Sequence, residues 1–156
     1  MSIATSGAVE ERKMAHSCHL KVRGNHIDIY QHVNNAMYLT YMEDARWEMF
    51  EETGGLEWMT HNNYGFVVVN INIAFKAAAY MSDRIEVRTT FDPIVAGKRS
   101  GILHQSIYRG DTELASADIV YVCIDLAKER SLPFEGELLE KLNEWYQHYQ
   151  PMQATS

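Results

Sequence analysis

One helical pattern, followed by a long run of strand-forming sequence, constrains this chain more than anything else in it. From Asn35 to about Glu52, the residues Tyr38, Tyr41, Met42, Ala45 and Met49 recur at helical spacing and form one apolar stripe. Thr40, Asp44, Trp47 and Glu51 fall elsewhere on that helix. Asn34 suits the N-cap, and Gly54-Gly55 stop the helix. Leu56 to Asn62 adds one or two further helical turns.

From Gly65 to Asp125 the sequence reads as strand: Phe66–Lys76, Arg84–Ile94, Ser100–Tyr108 and Leu114–Asp125. In the first of these Val67, Val69, Ile71, Ile73 and Phe75 share one parity, and Asn70, Asn72 and Lys76 share the other. Ala96-Gly97-Lys98 and Gly110-Asp111 carry turn chemistry, which predicts antiparallel hairpins in meander-like order. Residues 17–23 form a candidate edge strand, and Pro133 to Tyr149 a last helix with Leu138, Leu139, Leu142, Trp145 and Tyr146. The expected class is α+β, one long helix against a curved antiparallel sheet, plus a C-terminal helix. A strand of eleven residues spans about 37 Å at roughly 3.4 Å per residue, long enough to wrap a helix. Such a wrap leaves sheet edge exposed, which predicts self-association.

The chain of 156 residues suits one domain, expected at 16–150, with loosely ordered segments at 1–15 and 151–156. A net charge of -7 argues against a broad nucleic-acid footprint. Cys18 and Cys123 are far apart, which fits free thiols in a reducing cytoplasm, and no Cys/His spacing suggests zinc. The first residues hold no apolar stretch of signal-peptide type, and no run reaches membrane-spanning length, so no stable membrane insertion is expected.

The chemistry concentrates in the polar loop Gly24 to Asn34. Asp28 sits just before a helix N-terminus, where its carboxylate is placed to act as base or nucleophile. The alternative is a loop aspartate that satisfies backbone N–H groups. His32 titrates near neutral pH and is able to bond a water or a leaving group, or to serve only the loop. Asn34-Asn35 open the helix, whose first-turn amides and dipole make an oxyanion site; capping by Asn34 is compatible with that. Glu43 and Arg46 read as a helix ion pair, and His61 and His104 as structural. Lys98-Arg99-Ser100 form a small basic knot at a turn, fit either for ligand phosphates or for solvent. Tyr38 and its helical neighbours belong to the core or line an acyl tunnel.

The stretch from Val22 through Asp28-Ile-Tyr-Gln-His32-Val-Asn-Asn35-Ala-Met-Tyr38 to Glu43 and Arg46 resembles the hotdog-fold acyl-CoA thioesterases of the 4-hydroxybenzoyl-CoA thioesterase superfamily. Phe66-Val-Val-Val-Asn-Ile-Asn-Ile73, Gly97-Lys-Arg-Ser-Gly-Ile-Leu103, Val122-Cys-Ile-Asp125 and Glu135-Gly-Glu-Leu138 look most like the bacterial long-chain acyl-CoA thioesterase III group. The resemblance implies the hotdog fold and hydrolysis of acyl-CoA, of long chain in this group. Short-chain or aromatic acyl-CoA, and an acyl-CoA binder without turnover, are the alternatives. It implies Asp28 as general base or nucleophile, the Asn35 backbone amide as carbonyl polariser, and His32 as the histidine of the Asp-x-x-x-His-Val-Asn-Asn pattern. It also implies a homodimer or homotetramer with sites at the subunit interface, coenzyme A phosphates on basic residues, and no cofactor or metal. Plant acyl-carrier-protein thioesterases share the pattern but often carry asparagine where this chain has Tyr30, so that specificity is not implied.

Overall fold

The computed structural model describes residues 14–150, so the expected loose ends lie almost wholly outside the described residues. Along the chain come β1 (His16–Lys21), a 3-10 turn (Gly24–His26), α1 (Asn35–Glu52) and α2 (Gly55–His61). Then follow β2 (Tyr64–Phe75), β3 (Arg84–Phe91), β4 (Ser100–Arg109), β5 (Thr112–Asp125), β6 (Arg130–Ser131) and α3 (Gly136–His148). The strands form one antiparallel sheet in the order β1-β3-β4-β5-β2, with the short β6 on β5. The sheet curls around α1, as the length of its strands requires.

Tyr38, Tyr41, Met42, Ala45 and Met49 are all buried, as the stripe predicts, and Arg46 and Phe50 join them. The buried face is wider than a simple stripe because the sheet covers α1 on more than one side. Thr53 ends the helix, and Gly54 takes the left-handed conformation at φ 71° that lets the chain turn into α2.

Several expectations change. The strands are not a simple meander: β3, β4 and β5 follow one another, but β2 pairs with β5 at the far edge. Residues 76–83 are too long for a tight turn and cross from one edge toward the other. Their backbone is satisfied on the way, since Lys76 and Ala77 donate to the Leu114 carbonyl and the Ala79 carbonyl accepts from the Val33 N–H at 2.9 Å. The single parity expected in β2 is also broken. The register with β5 slips between Val68 and Asn70. Phe66 and Val68 therefore pack on the core before the slip, and Ile71 and Ile73 after it, while the extra residue Val69 is 55% exposed. Finally, Arg46 does not pair with Glu43. It turns inward, where Nη1 donates to Gln105 Oε1 at 2.9 Å, and Gln105 Nε2 donates to the Met42 carbonyl and Thr89 Oγ1. Burial lowers the pKa of Arg46, and its guanidinium is held by the neutral Gln105 carboxamide.

His104, which has no evident partner in sequence, lies between Asp92 and Asp118 at 2.6 Å from each. Burial opposes its charge, but the two carboxylates outweigh burial and raise its pKa.

At the closed end of the sheet an aromatic cluster fills the core. Tyr121 stacks on Phe66 at 4.4 Å between ring centres, and Phe50 meets Trp145 of α3 at 5.1 Å. Pro133 does not open α3 as expected. Phe134 instead runs extended beside the β3–β4 connection, donating to the Lys98 carbonyl and accepting from the Gly97 N–H. Tyr121 lies flat against Gly101, where an added Cβ would sit 2.5 Å from Tyr121 Cζ. The Tyr121 hydroxyl is buried without a hydrogen-bond partner among the described residues. Gly101→Ala is therefore expected to lower the melting temperature by forcing this ring to move, at a cost of about 1–3 kcal/mol. Tyr121→Phe removes an unsatisfied hydroxyl and is expected to leave stability unchanged or raised. Thermal unfolding of the two variants checks both signs.

Candidate active site

The loop between the 3-10 turn and α1 folds back on itself. Ile27 and Val33 form an antiparallel bridge, the Asp28 N–H donates to the His32 carbonyl at 3.0 Å, and the Asn34 N–H donates to the His26 carbonyl at 3.0 Å. The five residues Asp28 to His32 are thus a tight turn that sets the backbones of Asp28 and His32 opposite each other. Gln31 closes it at φ 66°, a left-handed conformation that a glutamine takes only where the surroundings hold it.

Three buried contacts anchor this turn to the fold. Val33 is buried and its N–H bonds the Ala79 carbonyl of the crossover. The Tyr38 hydroxyl accepts from the Ala79 N–H at 3.0 Å. The Tyr41 hydroxyl lies 2.8 Å from His26 Nδ1, which also accepts from the Arg23 N–H at 3.1 Å. Because Nδ1 accepts from a backbone donor, the neutral His26 ring carries its proton on Nε2, and Tyr41 donates. His26 was not among the residues expected at the site. The signal for it was Tyr41, a polar-tipped side chain on a buried helical stripe, which needs a partner.

Asp28 is half-buried, and its Oδ1 accepts from the Tyr30 N–H at 2.9 Å. The bland reading of Asp28 as a turn residue is thus correct for one oxygen, and Oδ2 has no partner among the described residues. Asn34 caps α1 as expected, its side chain accepting from the Ala36 N–H at 2.8 Å and its carbonyl from the Met37 N–H at 2.9 Å. That leaves the Asn35 N–H without an acceptor among the described residues, at the positive end of an eighteen-residue helix. His32 is half-buried and packs through its ring, stacked on Tyr30 at 6.1 Å and edge-on to Tyr80 at 6.3 Å. A free carboxylate oxygen, an imidazole and an unpaired helix-start amide in one turn can activate water and hold a developing oxyanion.

The other expected residues separate into two groups. Tyr38 lies beneath the loop but is only 3% exposed, so in a single chain it supports the turn rather than lining a surface. Lys98, Arg99 and Ser100 lie elsewhere. Ser100 pairs with Val122 of β5, which pairs with Val67 of β2, whereas Tyr38 packs on Phe75 at the other end of β2. From Val67 to Phe75 is about 27 Å of strand, so one chain does not bring its basic knot to its own Asp28. Arg99 Nη1 also donates to the Ser131 carbonyl, which leaves Lys98 as the freer cation of the two.

The loop and fold have close counterparts among known proteins. The family model of the Thioesterase-like superfamily matches residues 22–142. The chain belongs to that family. It is 45% identical over 127 residues to the long-chain acyl-CoA thioesterase FadM of Escherichia coli K12, covering 80% of this chain and 95% of that protein. The crystal structure of YbaW, a probable thioesterase from Escherichia coli, superposes with a TM-score of 0.76 at 43% identity, covering 86% of this chain and 98% of that one. A Staphylococcus aureus protein solved in complex with CoA has a TM-score of 0.77 at 15% identity over 92% of this chain and 90% of that one, which is a likeness of fold. The matched span takes in the loop, α1 and all four long strands, so the hotdog thioesterase expectation holds for this member of the superfamily.

Tyr38→Phe keeps the ring and removes the acceptor of a buried backbone N–H. It is expected to cost about 1–3 kcal/mol in denaturant unfolding and to lower turnover by loosening the Asp28 turn.

Proposed function

We propose that this protein hydrolyses acyl-CoA thioesters to a free acid and coenzyme A, with long-chain fatty acyl groups as the favoured substrates. The observation that carries the reading is the turn that holds Asp28 with one oxygen committed and one free, beside the unpaired Asn35 amide of α1. The likeness to FadM, a long-chain acyl-CoA thioesterase, supports the chain-length preference.

In this reading Asp28 takes a proton from water, and the hydroxide attacks the thioester carbonyl. The carbonyl oxygen becomes an oxyanion held by the Asn35 N–H and the helix dipole. The C–S bond then breaks, and the coenzyme A thiolate leaves and takes up a proton. In this reading His32 is the group that bonds the water or the sulfur. The alternative course has Asp28 attack the carbonyl itself, expelling the thiolate and leaving a mixed anhydride that water opens. Oxygen-18 found in Asp28 after a single turnover in labelled water identifies the anhydride course opened at the Asp28 carbonyl, since general-base attack puts the label only in the free acid.

Two-fold pairing of chains through β2 supplies the missing part of the site. β2 is a twelve-residue strand at the edge of the sheet, and among the described residues nothing pairs with its outer side. Antiparallel pairing with a second β2 extends the sheet and reverses the partner's direction. The partner's Lys98, Arg99 and Ser100 end is then turned toward this chain's Asp28 end, where they meet the phosphates of coenzyme A. Ile29 and Tyr30 at the tip of the turn are 85% and 70% exposed, which suits burial against a second chain. Pairing of dimers into a tetramer, a cytoplasmic location and a place in fatty-acid metabolism fit the same reading. Among the described residues no helix is long and apolar enough to cross a membrane.

Asp28→Asn is expected to reduce turnover of palmitoyl-CoA by about 10²–10⁴-fold with the fold intact; near-normal turnover by folded variant would sink the mechanism, and a series of acyl lengths assayed by thiol release reads the preference. Lys98→Ala is expected to raise KM for palmitoyl-CoA while leaving KM for palmitoyl-pantetheine, which lacks the nucleotide phosphates, unchanged.

A further inference from the structure

We propose that His16, Glu48 and Glu52 form a binding site for a first-row transition-metal dication such as Zn2+, which ties edge strand β1 to the last turns of α1. The site is separate from the turn at Asp28. Glu52 lies seventeen residues along α1 from Asn35, about 25 Å at 1.5 Å per residue.

The donor set and its geometry suit such an ion. His16 Nε2 lies 3.0 Å from Glu52 Oε2 and 3.5 Å from Glu48 Oε2, and single donor atoms of all three residues lie within 4.8 Å of one another. Two ligands each about 2.1 Å from a shared ion stand roughly 3.0–3.4 Å apart for angles between square and tetrahedral. Glu48 and Glu52 are four apart on α1, so both project from one face of the helix toward β1. One imidazole and two carboxylates neutralise a dication.

The His16 side chain is only 3% exposed, and the single proton that Nε2 can carry serves Glu52. Glu48 Oε2 and His16 Nδ1 are buried with no partner among the described residues. Among the described residues no lysine or arginine pairs with Glu48 or Glu52. Cys18 follows His16 on the same buried face of β1. Tyr149 meets the His16 ring edge-on at 5.4 Å. A dication here would meet the open Glu48 oxygen and the His16 imidazole together and offset the two carboxylates. No sequence spacing announces it, because its ligands come from a strand and a helix thirty-two or more residues apart.

The test uses the full chain, stripped with a chelator and titrated with ZnCl2 by calorimetry, alongside thermal unfolding with and without Zn2+. The expected result is one ion per chain and a melting temperature several degrees higher with Zn2+. Glu52→Gln should lose both effects while unfolding as cooperatively as the metal-free wild type, since Glu52 is more than half exposed. Cys18→Ser should keep both. MgCl2 should produce neither, because Mg2+ sheds its water reluctantly and prefers oxygen ligands. Absence of Zn2+ binding by the wild type, unchanged binding by Glu52→Gln, or loss of binding in Cys18→Ser would each overturn the proposal.

Discussion

Helix α1 has to be enclosed, and most of the structure follows from that. Its buried face carries Tyr38, Tyr41, Met42, Ala45, Met49 and Phe50, and each large apolar side chain among them gains about 1.5–3 kcal/mol on leaving water. A flat sheet covers one side of a helix only. Long strands, a bulge in β2 and the aromatic cluster under α3 bend the sheet so that it covers more. The Arg46 charge taken inside is tolerated because Gln105 meets it and is itself held by Met42 and Thr89.

That enclosure also makes the candidate site rigid. The turn at Asp28 buries little apolar surface of its own, since within one chain Ile29 and Tyr30 at its tip stand in solvent. Its order is borrowed from below, through Val33 and Tyr38 on Ala79 and through Tyr41 on His26. The same helix that fills the core opens at the candidate site, so packing and the proposed chemistry are two ends of one element. A free amide at that helix start has a fixed direction because Asn34 has already absorbed its neighbours.

Local patterns were legible in the sequence, and long-range pairings were not. The stripe of α1, its Asn34 cap, its glycine stop and the existence of four long strands all follow from spacing and turn chemistry within a few residues. The motif from Asp28 to Asn35 was legible for the same reason. The position of β2 was not, since nothing in residues 76–83 says that they cross to another edge rather than turn back. The bulge at Val69 was hidden because one extra residue makes two half-strands of opposite phase look like one continuous alternation. Arg46 looked like a partner for Glu43 because i,i+3 spacing is visible in sequence, whereas Gln105, fifty-nine residues away, is not. Tyr38, suggested as a substrate contact, gave no sign that its hydroxyl was needed by Ala79.

The bulge in β2 also bears on what happens to a newly made chain. A twelve-residue strand with one side unpaired is a template on which any passing extended segment can assemble. Val69 interrupts that template near its middle, and Asn70 and Asn72 make the adjoining outward surface polar. A flat intruding strand can follow one half of β2 or the other, but not both. A copy of the same strand, bent in the same place, meets no such mismatch. The irregularity that curves the sheet thus also acts as a filter against aggregation, favouring the one partner that shares its shape.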